Sequence, residues 1–337
     1  MAGRQDVKLT TTVGHLTLEQ PIMNAAGPLC KTVEEVRKLA LSTASAVMVG
    51  SITWEERLGN GGNTYYSRRG QFSVNSLGLP NGGRAYYQKH LREMARICHE
   101  ARKTFWVSVA GFTPEDYVRL VALAIEGGAD VVEINLGCPN VWDGGKQKSI
   151  ASFDTVLTKQ ILAGIERLVS ADSSVSFAAK LSPYLNSLLP LQEGLQVSPY
   201  SHDPLILEKM AKVIVESGIV RIVTSANTVP NAFAVREDGT PAIQSPDVKD
   251  GVGGLAGPIV IAMGIAQVRR LRGLLPFQID IIGVGGIRTG EDVLSYLNAG
   301  ADAVQIATTH ADEGARVFDR ILMEYVALIE VETPIAP

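Results

Sequence analysis

One short stretch of this chain sets a thiol between carboxamides: Asn135-Leu136-Gly137-Cys138-Pro139-Asn140. A thiol can take or give a proton, and an amide can hold the edge of a planar polar ring. Cys138 is therefore a candidate proton-transfer group, with Asn135 and Asn140 as ring-edge binders. A free cysteine also serves as a small buried filler, and the spacing leaves both readings open. Cys30 and Cys98 take the filler reading, since Cys98 falls on a helical pattern and Cys30 closes a strand-to-helix turn.

A second stretch, Asn75-Ser76-Leu77-Gly78-Leu79-Pro80-Asn81, reads either as an ordinary turn or as a loop that offers Asn75 and backbone N–H groups to a carboxylate. A third signal is a pair of loops, Gly283-Val284-Gly285-Gly286-Ile287 and Gln305-Ile306-Ala307-Thr308, joined by Gly253-Gly254-Leu255-Ala256-Gly257. Glycine lets a backbone come close to an anion and point N–H groups at it. Lys180 ends an apolar run. There it either stabilises the anionic form of a reduced redox ring or only buries its stem and keeps its head in water. Asn227 and Thr228 end another run and add polar contacts.

These residues need elements to hold them. Eight short apolar runs, Ile22–Ala26, Ala46–Ser51, Phe105–Ala110, Val131–Leu136, Phe177–Leu181, Arg221–Ala226, Ile279–Val284 and Ala303–Ala307, read as strands buried on both faces. Amphipathic segments lie between them, such as Thr32–Leu41, Pro114–Glu126, Leu205–Glu216 and Gly290–Asn298. Thr113 followed by Pro114 and Glu115 marks a helix start, and Gly127-Gly128 marks a stop. Eight alternations predict an α/β fold, a (β/α)8 TIM barrel, as one domain over residues 1–337. Residues 7–20 predict a β-hairpin under the barrel floor. Residues 54–90 and 184–204 are long excursions that leave strand C-termini, so both are expected on the catalytic face.

Composition removes other classes. A net charge of −4 and no basic stripe argue against a nucleic-acid partner. Three widely spaced cysteines and five histidines form no metal-ligand pattern, so no metal is expected. No GxGxxG opens a helix after an N-terminal strand, which leaves a nicotinamide-binding unit unsupported. No apolar stretch reaches the roughly 20 residues of a membrane helix, and no signal peptide is visible. The expectation is a cytoplasmic protein.

The motifs above, with Asn24-Ala25-Ala26-Gly27 and with Thr289-Gly290-Glu291-Asp292 after Ile287, resemble those of the dihydroorotate dehydrogenases, especially class 1A. The resemblance runs from about residue 7 to about residue 325. It implies FMN at the barrel mouth with substrate stacked on one flavin face. Cys138 would take a proton from C5 of dihydroorotate while hydride leaves C6 for flavin N5. Cysteine at this place implies class 1, because the membrane-associated class 2 uses serine. Asn75, Asn135, Asn140 and Asn227 would bind substrate, with the backbone of Leu77, Gly78 and Leu79 near its carboxylate. Thr228 stands where the family commonly has serine. Ala26, Gly27, Ser51, Ser108, Asn135 and Lys180 would contact the flavin ring. Gly257, Gly285, Gly286, Ala307 and Thr308 would contact ribityl and phosphate. The class implies fumarate as oxidant and a homodimer.

Departures from the family cluster on the substrate side. Gly50 stands where class 1A has an active-site lysine between flavin and substrate carboxylate. Loss of such a charge-assisted contact is typically about 1.5–3 kcal/mol, roughly ten- to a hundredfold in affinity. Lys31 and Arg57 are candidate substitutes. Gly137 replaces a serine, the loop after Asn140 is longer and carries Trp142 and Asp143, and the 184–204 excursion is longer as well. Three functions therefore compete: dihydroorotate oxidation, FMN-dependent redox chemistry on another small heterocycle or activated alkene, and a non-catalytic ligand-binding barrel.

Overall fold

A computed structural model describes residues 9–139, 141–143, 146–169, 174–184, 203 and 205–332. Eight strands make one parallel sheet: β1 (Ile22–Asn24), β2 (Ala46–Ile52), β3 (Thr104–Val109), β4 (Val131–Asn135), β5 (Ser176–Leu181), β6 (Val220–Ser225), β7 (Asp280–Val284) and β8 (Ala303–Ile306). They pair in the order β1-β8-β7-β6-β5-β4-β3-β2, with helices outside, which is the expected (β/α)8 barrel. Each strand overlaps its apolar run. β1 and β8 stop short of the runs because Ala25, Ala26 and Ala307 leave the ladder to line the mouth.

Among the described residues, no ladder joins β1 to β2. The Asn24 side chain bridges them instead. Its Nδ2 donates to the Met48 carbonyl (2.8 Å), and the Met48 N–H donates to its Oδ1 (2.9 Å). A carboxamide carries the donor and acceptor of a peptide unit, so one side chain does the work of a strand pair. The helices begin as their sequences direct. Thr32, Thr113 and Thr289 each cap a helix and close a capping box with Glu35, Asp116 and Asp292.

The two-residue period of a strand builds the barrel interior in layers. Trp106, Val131, Ala178, Ile222 and Ala303 share one apolar cluster toward the floor. Two residues further along the same strands stand Ser108, Glu133, Lys180, Thr224 and Gln305, all buried. The interior is thus apolar below and polar directly beneath the mouth.

The floor is closed by the predicted hairpin, Thr11–Val13 paired with Leu16–Leu18. Val13 and Leu18 join the apolar cluster. The turn at Gly14 has φ +65, and its N–H donates to Asp280 Oδ2 at 2.6 Å. Burial first, and nearby Asp302, push the Asp280 carboxyl up to about 6.

The excursion after β2 is not loop alone. Tyr65–Arg68 and Phe72–Asn75 form two antiparallel strands, joined to Gly253–Ala256 and Val229–Ala232 from the connection after β6. Sequence patterning did not reveal this four-stranded cap sheet, whose partners come from distant segments. The loop after residue 140 forms a short ladder, Trp142–Asp143 against Lys146–Gln147. The 184–204 excursion lies almost wholly outside the described residues.

Replacing Asn24 by Ala leaves the Met48 N–H and carbonyl unpaired in a dry interface. The expected cost is about 2–4 kcal/mol, read as a lower urea midpoint. For Asp280, a folded-state pKa above the unfolded value makes folding favour the protonated form. Stability from this group is present below about pH 4 and is lost as pH rises through about 6. Asp280→Asn should remove that loss, so the gap in melting temperature between variant and wild type widens from pH 4 to pH 6.5. A constant gap would refute the assignment.

Candidate active site

The strand C-termini surround a trough made of two merging cavities. The larger has about 1230 Å³ of empty space, part of it open to solvent, and the other about 770 Å³. Ala26, Lys180, Asn227, Thr228, Ala256, Ala307 and Thr308 line both. Cys138 lines the larger part with Asn75, Leu77, Gly78, Leu79, Asn135, Gly27 and Ser51. Gly257, Gly285 and Gly286 line the other end. Residues singled out on nine different segments therefore converge on one space. Asn140 lies outside the described residues. Ser108 is fully buried and is not among the lining residues. Its hydroxyl lies 2.9 Å from that of Ser51, which does line the trough.

A chain of hydrogen bonds ties the lining to the polar layer beneath. Asn227 Nδ2 donates to Asn135 Oδ1 (3.0 Å), and Asn135 Nδ2 donates to Ser51 Oγ (2.8 Å). Ser51 and Ser108 hydroxyls lie 2.9 Å apart, and Ser108 Oγ donates to Glu133 Oε1 (3.0 Å). Since Ser108 spends its proton on Glu133, Ser51 is the donor between the two. Glu133 Oε2 accepts from Thr224 Oγ1 (3.0 Å) and Gln305 Nε2 (3.3 Å). Lys180 Nζ stands 3.6 Å from Glu133 Oε1, both side chains being almost wholly buried. Lys180 also lines the trough.

Sequence reasoning passed over Glu133 although it lies inside the apolar run Val131–Leu136. The available signal was a carboxylate among Val131, Val132 and Ile134, where solvent cannot reach either face. Gln305 was likewise quoted but given no role. Its Oε1 and Thr228 Oγ1 are buried without a hydrogen-bond partner among the described residues, and both residues line the trough.

The Asn75–Asn81 loop is braced from behind. Asn60 Nδ2 donates to the Ser76 carbonyl (2.7 Å), and Asn81 Nδ2 donates to Thr53 Oγ1 and the Leu79 carbonyl (both 2.8 Å). Arg57 Nε donates to the Gly78 carbonyl (2.9 Å), and its guanidinium lies 4.9 Å from the Phe112 ring centre. Arg57 thus supports the loop and is not among the residues lining the trough; of the two substitute cations, only Lys31 lines it. Gly50 also lines it, with φ +112, and an added Cβ would meet the Ser108 carbonyl at 2.5 Å. The backbone here excludes a side chain, so the missing lysine is built into the strand end.

The other thiols are inert by position. Burial raises the Cys30 thiol and pushes Cys98 up to about 12. Cys30 Sγ contacts the Gly27 and Gly50 carbonyls at 3.3 and 3.4 Å, tying two mouth loops together. Behind Cys138, Tyr117 donates to the Asn135 carbonyl (2.8 Å), and burial, then Cys138, hold its hydroxyl well above the usual range. No group of three His, Cys, Asp or Glu among the described residues could hold a metal, and no described helix is long and apolar enough to cross a membrane.

Glu133→Gln strips the compensating charge from Lys180. Breaking a buried pair in this way costs about 3–5 kcal/mol. The double change Glu133→Gln/Lys180→Met should recover most of that loss in urea titration. A double variant no more stable than the single one would show that the pair is not the cause.

Comparison with known proteins agrees with this architecture. A family model described as "Dihydroorotate dehydrogenase" matches residues 8–329. "Dihydroorotate dehydrogenase (fumarate)" of Saccharomyces bayanus is 34% identical over 325 residues, covering 96% of this chain and 94% of the relative. "Probable dihydroorotate dehydrogenase A (fumarate)" of Streptococcus pneumoniae is 30% identical over 324 residues, with the same coverage. "Dihydroorotate dehydrogenase A (fumarate)" of Lactococcus lactis subsp. cremoris is 31% identical over 317 residues, covering 94% and 92%. The eight-stranded barrel, the thiol and amides gathered at its mouth, and a match over nearly the whole length place this chain in the dihydroorotate dehydrogenase family.

Proposed function

We propose that this protein oxidises dihydroorotate to orotate in pyrimidine biosynthesis, with FMN as cofactor, Cys138 as base and fumarate as the oxidant that completes the cycle. The observation that carries the reading is that Cys138, Asn75, Asn135 and Asn227 line one cavity with Lys180 at its floor.

The residues present fit FMN. Gln305 Oε1 and Thr228 Oγ1 are buried acceptors without a partner among the described residues, suited to the polar edge of a ring. Lys180 offers free donors beside them. At the far end Gly285 and Gly286 have φ +123 and +82, and a Cβ at Gly286 would meet that of Ile261 at 2.7 Å. Only glycine fits there, which leaves backbone N–H groups close to a phosphate. When bound, FMN supplies the hydride acceptor.

The chain's own residues do the rest. Cys138 receives the proton from C5 of the substrate. Asn75, Asn135 and Asn227 hold the amide and carbonyl edges of its ring, and the backbone from Leu77 to Leu79 turns toward its carboxylate. Gly78 and Leu79 have φ +74 and +59, which aims successive N–H groups toward one side. The class 1A resemblance supports a cytoplasmic homodimer. Gly50 favours one second reading, the same chemistry on a ring with a different anionic group.

Anaerobic dihydroorotate should bleach the bound flavin of the purified protein. Cys138→Ser should slow that step by at least a hundredfold while flavin content stays at wild-type level. No bleaching with dihydroorotate would overturn the substrate. Loss of the cofactor from the variant would overturn the placing of Cys138.

A further inference from the structure

We infer that Lys31 is the cation that receives the substrate's carboxylate above Cys138, an assignment that rests on the reaction proposed above and names the residue it leaves open. The larger cavity is lined by two cations, Lys31 and Lys180, and by no aspartate or glutamate among the described residues. A chain of net charge −4 has therefore made this one space positive. Lys180 is matched by Glu133 at 3.6 Å. Lys31 is in none of the ion pairs among the described residues.

The local sequence explains why its head is free. The nearest carboxylate, Glu35, spends Oε2 on the backbone N–H groups of Lys31 (2.7 Å) and Thr32 (2.9 Å), as the capping box demands. The Lys31 carbonyl accepts from Tyr87 Oη (3.3 Å), which fixes the backbone at this point. The ammonium is left partly desolvated and facing the cavity. Burial lowers its pKa, opposed by Cys30, then Glu35, then Cys138. A half-dry cation outside any direct ion pair binds an anion more strongly than a solvated one. Beside it Gly50, whose N–H donates to the Cys30 carbonyl (3.2 Å), admits no side chain, so the adjoining strand end cannot supply a charge.

Lys148 is the other cation close to Cys138, and it is already occupied. Its Nζ donates to the Gly111 carbonyl and lies 4.7 Å from the Phe112 ring centre. It lines a small cavity that meets the trough at Leu79, Asn135 and Cys138, and it does not line the trough itself.

The test uses the FMN-loaded protein and two alkylating reagents that differ in charge. Iodoacetate carries a carboxylate and iodoacetamide does not; each transfers its carbon to sulfur with loss of iodide. Cys30 and Cys98 are fully buried, so modification reports Cys138. The rate ratio of the two reagents cancels any change in thiolate fraction and leaves the attraction for a carboxylate. Lys31→Met should lower the iodoacetate-to-iodoacetamide ratio roughly tenfold or more, and Lys31→Arg should keep most of it. Orotate binding, followed by flavin absorbance, should weaken by a similar factor in Lys31→Met, whereas uracil, which lacks the carboxylate, should bind both proteins alike. An unchanged ratio in Lys31→Met, a ratio that falls in Lys148→Met instead, or equal weakening of orotate and uracil would overturn the inference. If dihydroorotate leaves the wild-type flavin oxidised while the iodoacetate preference depends on Lys31, the substrate is wrong and the carboxylate site stands.

Discussion

A charge pair sits in the polar layer of a barrel whose lower interior is apolar, and the site is organised around it. Glu133 and Lys180 are removed from water almost completely. Two charges in that position destabilise a fold unless every lone pair and proton finds a partner. Glu133 meets the condition with donors from β3, β6 and β8 as well as the ammonium from β5. Four strands are thereby fixed in height relative to β4. The same bonds extend through Ser108 and Ser51 to Asn135 and Asn227. The amides at the mouth are aimed by a network whose anchor lies one layer below them.

The outer parts of the site are held differently. The loop from Ser76 to Pro80 has no regular structure, and its order comes from Asn60, Asn81 and Arg57, which satisfy its carbonyls from behind. Cys30 ties the turn after β1 to the end of β2. A rigid lower layer and a braced upper loop are what a reaction needs when it must place one thiol and several amides around a flat ring.

Much of this was legible in the chain. All eight barrel strands announced themselves because strands buried on both faces must be apolar throughout, and the capped helices because Thr32, Thr113 and Thr289 precede acidic residues at the right spacing. The Gly-rich turns and the asparagine motifs marked the mouth for the same local reasons. What escaped depends on contacts between distant segments. Glu133 looks like a misplaced surface residue until Thr224 and Gln305 are brought to it. Ser108 was read for the flavin alone, and its bond to Glu133 is not visible in the local sequence. Arg57 carried the right charge, but its head is turned to the Gly78 carbonyl. The cap sheet pairs residues near 74 with residues near 255, and no local period reports such a partnership.

That sheet restricts how the family site can change. Asn75 is registered against Gly254, and Ser73 against Ala256, so a trough-lining amide and the approach to the Gly257 turn ride on one ladder. Adding or deleting a single residue on either side would slip the alignment and turn Asn75 to the opposite face. A change of length costs less in the connection after β4, whose described residues share no rung with the cap.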